Sequence, residues 1–174
     1  MKKYRYFILS AVILAADQIS KILVNARIPL YSRPWGFGGD FFYLTHVRNP
    51  GAAFSLGENF PAFLKVIFLI VIPLAVLAAV AVYTIKGTDI GKAQRWCLAG
   101  ILGGGLGNQI DRIFRPDGVV DFLDVKFYGI WGMERWPTFN IADSALVVSA
   151  ILLAILLLRE VKSNDTDKEA QTHE

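Results

Sequence analysis

Apolar residues in this chain run in long blocks separated by turn-rich polar segments. Four stretches, Tyr6 to Val24, Ala62 to Ile85, Trp96 to Phe114 and Phe139 to Leu158, are mainly apolar over about 20 residues each, enough for an α-helix to cross a bilayer. The pattern predicts a mainly α membrane protein with four transmembrane helices (6–24, 62–85, 96–114 and 139–158) in one integral domain covering residues 1–174. The connections 28–61 and 115–138 have a different texture. "FFYLTHV" in the first and "VVDF" in the second read as short strands beside Pro/Gly turns. A small amphipathic sheet at the outer interface is one reading, and a loop that only anchors the bundle is the other. The last segment, 163–174, "SNDTDKEAQTHE", is polar and without aromatics, and is predicted to be disordered.

Composition agrees with membrane residence: 54% of the 174 residues are hydrophobic, 19% are charged, and mean hydropathy is +0.44. The first apolar block follows the basic leader "MKKYRY" and could pass for a secretory signal. Asp17 and Lys21 interrupt it, however, and no small-x-small cleavage pattern follows, so it is read as a retained span. Lys2, Lys3 and Arg5, then Lys86, Lys92 and Arg95, then Arg159, Lys162 and Lys168 fall in three segments that share a side if there are four spans. Their basic density marks that side as cytoplasmic and puts both termini there. Arg33, Arg48, Arg115, Lys126 and Arg135 are spread through the longer outward connections.

Charge and cysteine usage remove several function classes. The net charge of +3 suits anionic headgroups, and no basic patch interleaved with aromatics suggests nucleic acid. Cys97 is the sole cysteine, and His46 and His173 are the only histidines. No internal disulfide, zinc site, other metal site or cofactor is expected, and a Ser-His-Asp triad has little to build on.

Ionisable groups inside apolar blocks are costly and normally have a partner or a task. Asp17 and Lys21 stand four apart, within pairing distance on a helix. Gly100, Gly103, Gly104 and Gly107 give overlapping small-x-x-x-small patterns that let another helix approach. Asn108 and Arg112 follow on one face, beside Asp111. In "GVVDFLDV", Asp121 and Asp124 are three apart. A strand points them to opposite faces; a helix would let them share one. The strand reading separates them and leaves Asp124 facing interfacial water or a neighbour such as Lys126. It leaves Asp121 free to meet Asp143, in the first turn of the last span, where a helix amino terminus favours negative charge. Two carboxylates in a poorly hydrated site share a proton, as in aspartic proteases. The alternative from another class is a small transporter or lipid-binding protein with Asp17, Lys21, Asp111 and Arg112 along a polar path. Four spans are few for that, and no inverted repeat is evident.

Five motifs then carry a resemblance: "DQISK" (Asp17 to Lys21), "NPGAAFS" (Asn49 to Ser55), "GGGLGNQIDR" (Gly103 to Arg112), "VVDF" (Val119 to Phe122) and "FNIADS" (Phe139 to Ser144). In this order on a four-span chain they resemble the lipoprotein signal peptidase family, the bacterial signal peptidase II enzymes, over the whole chain apart from the polar tail. The resemblance implies a cytoplasmic-membrane aspartic endopeptidase that cuts diacylglyceryl-modified prolipoproteins immediately before the lipidated cysteine. It implies Asp121 and Asp143 as the catalytic dyad and Asn49, Gly51, Asn108, Arg112 and Asn140 as substrate-binding positions. It also implies Asp17, Lys21 and Asp111 as support, with an outer β-rich cradle and a short lid over an outward-facing cleft; a monomer with no cofactor, in contact with membrane lipids, is expected.

Overall fold

The computed structural model describes residues 3–51 and 59–172, so Ala52 to Ser55 of "NPGAAFS" lie outside the described residues. Among the described residues, the fold is built from four long helices and one three-stranded antiparallel sheet. α1 (Phe7–Arg27) follows a 3-10 turn at Tyr4–Tyr6. It stops there because Pro29 drives the preceding Ile28 out of helical conformation; Ile28 is extended, with φ −114° and ψ 118°. β1 (Trp35–Phe37) and β2 (Phe42–Asn49) form a hairpin. α2 (Ala62–Lys86) and α3 (Lys92–Phe114) follow, then β3 (Val119–Val125) and α4 (Ile141–Thr172).

Three helical stretches, Tyr4–Arg27, Ala62–Lys86 and Ile141–Val161, are long and apolar enough to cross a membrane. Their outward faces carry exposed Ile8, Val12, Phe63, Phe68, Ile151 and Leu152, the reverse of a water-soluble surface. α3, at the expected third span, is not among those three. Its Gly103, Gly104, Gly107, Asn108 and Asp111 are buried, so it faces other helices and has little need of the apolarity that lipid demands. A Cβ at Gly103 would lie 2.9 Å from the backbone of Ser10 in α1, and one at Gly104 would collide with the Ala142 carbonyl in α4. These glycines set the distances between α3 and its neighbours. α4 begins at Ile141, two residues later than predicted, because Phe139 still bridges to Leu123 and Asn140 caps the helix. Its backbone continues helically to Thr172, through the tail predicted to be disordered; Lys168, Glu169, Ala170 and Gln171 are good helix formers.

α2 contains a wide π turn at Val66–Val71, just before Pro73. Proline cannot donate to the carbonyl four residues back, which is that of Leu69. Gln109 Nε2 of α3 donates to that carbonyl at 2.9 Å. At the opposite end, Arg95 donates to the Thr84 carbonyl and, at 2.5 Å, to the Gly87 carbonyl, closing the turn between α2 and α3.

The sheet order is β1-β2-β3. β2 pairs with β3 through Leu44↔Leu123 and then Val47↔Asp121. Three steps on β2 therefore match two on β3, which marks a β-bulge. Buried Thr45 and His46 occupy it, and His46 Nδ1 lies 2.8 Å from the Ile28 carbonyl oxygen. The inner face of the sheet packs Val120 and Phe122 against Val24 of α1 and Ile28 just after it. This contact seats the sheet on one end of the bundle.

Candidate active site

Asp121 lies on β3 and Asp143 in the first turn of α4. The strand and the helix converge because Phe139 hydrogen-bonds to Leu123, which brings the residues just before α4 alongside β3. Asn140 joins the two carboxylates. Its Oδ1 accepts the Asp143 N–H at 2.9 Å, and Asp143 Oδ2 accepts the Asn140 N–H at 3.1 Å. This reciprocal cap starts α4. The Asn140 amide Nδ2 donates to Asp121 Oδ1 at 2.7 Å and to Asn108 Oδ1 at 3.1 Å. Asn108 Nδ2 donates to Asp143 Oδ1 at 2.6 Å.

Asn49 Nδ2 supplies the remaining amide contact, to Asp121 Oδ2 at 3.2 Å. Since Val47 faces Asp121 across the strands, Asn49, two residues further, lies on the same face as its diagonal neighbour. Asn49 Oδ1 accepts the Gly51 N–H at 3.0 Å, and the Gly51 carbonyl accepts from Arg112 at 3.3 Å. A cleft of about 210 Å³ opens on this side, with Asn49, Pro50, Val66, Leu69, Arg112 and Gly118 among its lining. Burial, then the nearby Asp143 charge, pushes Asp121 up to about 7, against the opposing hydrogen bonds from Asn49 and Asn140.

Behind the carboxylates lies a buried ion cluster. Lys21 Nζ is 2.8 Å from Asp17, 3.2 Å from Asp111 and 2.9 Å from Asn108 Oδ1. Asp17 Oδ1 accepts the Ala142 N–H of α4 at 3.0 Å, and Asp111 Oδ2 accepts the Val120 N–H of β3 at 3.0 Å. Each acid thus grips the residue next to one member of the aspartate pair, and Lys21 ties the two grips together. Gln18 Nε2 donates to both acids at 3.1 Å, and Arg115 pairs with Asp111. Neither Gln18 nor Arg115 is among the residues singled out from sequence. The Asp111 to Arg115 spacing of four was the available signal.

Asp124 is turned away from this site, as alternation along a strand requires, but its surroundings differ from expectation. It is 1% exposed rather than at interfacial water. Its partners are Arg135, at 2.6 Å, and Arg33, at 3.2 Å, whereas Lys126 pairs with Asp40 at 2.8 Å. Residues 126 and 135 bridge, and this return of the chain delivers the Arg135 guanidinium to Asp124. Both arginines also lie over the Tyr43 ring. Asp124→Asn, which keeps an acceptor for Arg135, is expected to leave kcat/KM within about threefold and to lower stability by about 1–3 kcal/mol. Unfolding in detergent beside a rate measurement checks this; a collapse of kcat in a protein of unchanged stability would count against it.

Residues 9–159 match the family model described as signal peptidase (SPase) II. Relatives named lipoprotein signal peptidase include that of Treponema denticola, 47% identical over 166 residues that cover 91% of this chain and 92% of the relative. That of Borrelia hermsii is 50% identical over 150 residues, covering 86% and 87%. That of Treponema pallidum is 40% identical over 153 residues, covering 88% and 82%. Among solved structures, one described as a bacterial membrane enzyme superposes with a TM-score of 0.77 at 27% identity, covering 91% of this chain and 90% of the other. A second of the same description gives 0.72 at 28%, covering 88% and 92%.

Proposed function

The chain belongs to the signal peptidase II family, and from that premise we propose that Asp121 and Asp143 are the catalytic pair of this aspartic peptidase, which cleaves signal peptides from prolipoproteins. The observation that carries the assignment is the shared carboxamide of Asn140, which caps the helix of Asp143 and donates to Asp121. Water held between the two carboxyl groups loses a proton to one as its oxygen attacks the scissile carbonyl. The other donates its proton to the carbonyl oxygen. When the tetrahedral adduct collapses, the C–N bond breaks, the nitrogen takes up a proton, and the signal peptide leaves with a new carboxylate.

The substrate side of the proposal follows from chemistry at a lipid boundary. A diacylglyceryl-modified cysteine is anchored in the outer leaflet, and peptide groups next to it need hydrogen-bonding partners that lipid does not provide. Asn49 and Arg112, which line the cleft, and Gly51 beside them supply these, with the cleft as the way in, whereas Asn108 and Asn140 have their amides on the two carboxylates. We place both termini in the cytoplasm and α3 as a fourth span, sheltered by the three apolar ones. The outward connections furnish the cradle and the lid, and the chain works as a monomer. Purified protein given a diacylglyceryl-modified precursor is expected to release a product lighter by the signal peptide and beginning at the lipidated cysteine. An unchanged precursor mass would refute this reading.

The same assay reads the pair's proton. Below about 7 Asp121 retains it; above, the carboxyl ionises and the donor is lost. Because burial raises this group, its favourable neutral form is present at low pH and disappears as pH climbs through about 7. Activity is therefore expected to fall on the alkaline side with a midpoint near that value. A kcat/KM profile flat through the neutral range contradicts the shared proton.

A further inference from the structure

The two carboxylates are held by groups of different kinds, and the difference begins at Lys21. An ammonium can only donate, so the Asn108 atom 2.9 Å from Lys21 Nζ is the amide oxygen. The Asn108 NH2 must then point the other way, where Asp143 Oδ1 lies at 2.6 Å. Asn108 Oδ1 also accepts from Asn140 at 3.1 Å, and an amide whose oxygen is loaded by a cation is a stronger N–H donor. Asp143 further accepts a backbone N–H at the amino terminus of α4, where the helix dipole favours negative charge. Among the described residues, Asp121 has two neutral amide donors, Asn140 and the more distant Asn49, and sits on a strand without a helix end behind it.

We propose that Lys21 is a positioning residue which, by fixing the Asn108 carboxamide, makes Asp143 the ionised carboxylate that takes the water's proton and leaves Asp121 as the proton donor. This rests on the dyad reading above and adds the role of each member. Asp17 completes the device: it holds Lys21 at 2.8 Å and the Ala142 N–H at 3.0 Å, so the ammonium and the first turn of α4 keep a fixed separation. The charged and titratable groups around the pair are Asp17 and Lys21 from α1, and Asp111, Arg112 and Arg115 from α3. The Lys21 charge also acts on Asp121, against the larger effect of burial. Lys21 is the one of these whose contact decides which end of Asn108 meets Asp143.

Removing Lys21 alone would strand two buried acids, so the test removes charge in a balanced way. Lys21→Met combined with Asp17→Asn keeps the cluster neutral and keeps an acceptor for Ala142 N–H; Asp17→Asn alone is its control. kcat/KM against pH is measured for these, for Asn108→Ala and for Asn49→Ala, with unfolding in detergent confirming the fold. The acid limb, where the ionised member of the pair takes up a proton, is expected to move up by about one pH unit in the double variant relative to Asp17→Asn, and likewise in Asn108→Ala relative to wild type. Asn49→Ala is expected to move the alkaline limb instead, to higher pH. A slower enzyme with unmoved limbs makes Lys21 merely structural and overturns the proposal, as does movement of the limbs in the exchanged order. If the double variant does not fold, the Asn108→Ala limb decides in the same sense. Activity retained by Asp143→Asn overturns the dyad and this assignment together, whereas inactive aspartate variants with an unmoved acid limb overturn this assignment alone.

Discussion

Asp121→Asn and Asp143→Asn are each expected to reduce cleavage of a lipidated precursor by at least about a thousandfold, while the protein still inserts and folds. The substitution is close to isosteric, so the surroundings test function with little disturbance of packing. At 143, the asparagine oxygen still accepts the Asn140 N–H, and the backbone N–H still meets Asn140 Oδ1, so the start of α4 survives. At 121, the amide replaces a carboxyl group that burial already drives toward its neutral form. Each asparagine turns one acceptor oxygen into an NH2 that faces an amide donor, Asn108 at 143 and Asn49 or Asn140 at 121, so stability is expected to fall by about 1–2 kcal/mol, short of unfolding. Neither amide can take a proton from water or give one to a carbonyl. Cleavage at wild-type rate by either variant, read as loss of the signal peptide by mass, removes that residue from the mechanism.

Gly104→Val is expected to be a severely damaging change away from the carboxylates, costing on the order of 3 kcal/mol or more. Its new Cβ would run into the Ala142 carbonyl and lie 3.0 Å from the Leu146 nitrogen, both backbone atoms of α4 that cannot swing aside. α4 must move outward as a body, and the first turn carrying Asp143 moves with it, away from Asn108 on α3. Folded yield and cleavage should fail together. Gly91→Ala at the start of the same helix is the matched control, because its nearest new neighbour is the Gln94 side chain at 3.6 Å. Equal stability for the two variants would show that the α3–α4 distance is not set by Gly104.

Much of this architecture is legible in sequence for one physical reason: lipid requires every span to be long, helical and apolar where it touches hydrocarbon. That makes α1, α2 and the apolar part of α4 readable as blocks. α3 is readable differently, through glycines whose spacing announces close neighbours. The strands are readable from β-branched and aromatic runs, and strand alternation correctly separates Asp124 from Asp121. Wiring between distant residues leaves no such trace. Asp17 meets the Ala142 N–H across 125 positions of chain, and Gln18 reaches Gly107 and Asp111. Arg135 finds Asp124 only because an irregular segment folds back along β3, and no periodicity encodes an irregular return. Motifs can nominate Asn108 and Asn140, yet which end of each amide faces which acid depends on a lysine and a helix terminus contributed from elsewhere.

The bulge in β2 has its effect through parity. One extra residue between Leu44 and Val47 shifts every later side chain of that strand to the other face of the sheet relative to β3. Continued without it, the Leu44↔Leu123 register would set His46 opposite Asp121 and make Arg48, in place of Asn49, the diagonal neighbour. A guanidinium there would hold the Asp121 carboxyl in its charged form and abolish the shared proton. A single odd residue, spent where Thr45 and His46 turn inward, thus exchanges a fixed cation for a neutral amide beside the acid. The acid–base character of β3 is in this sense counted out along its neighbour strand.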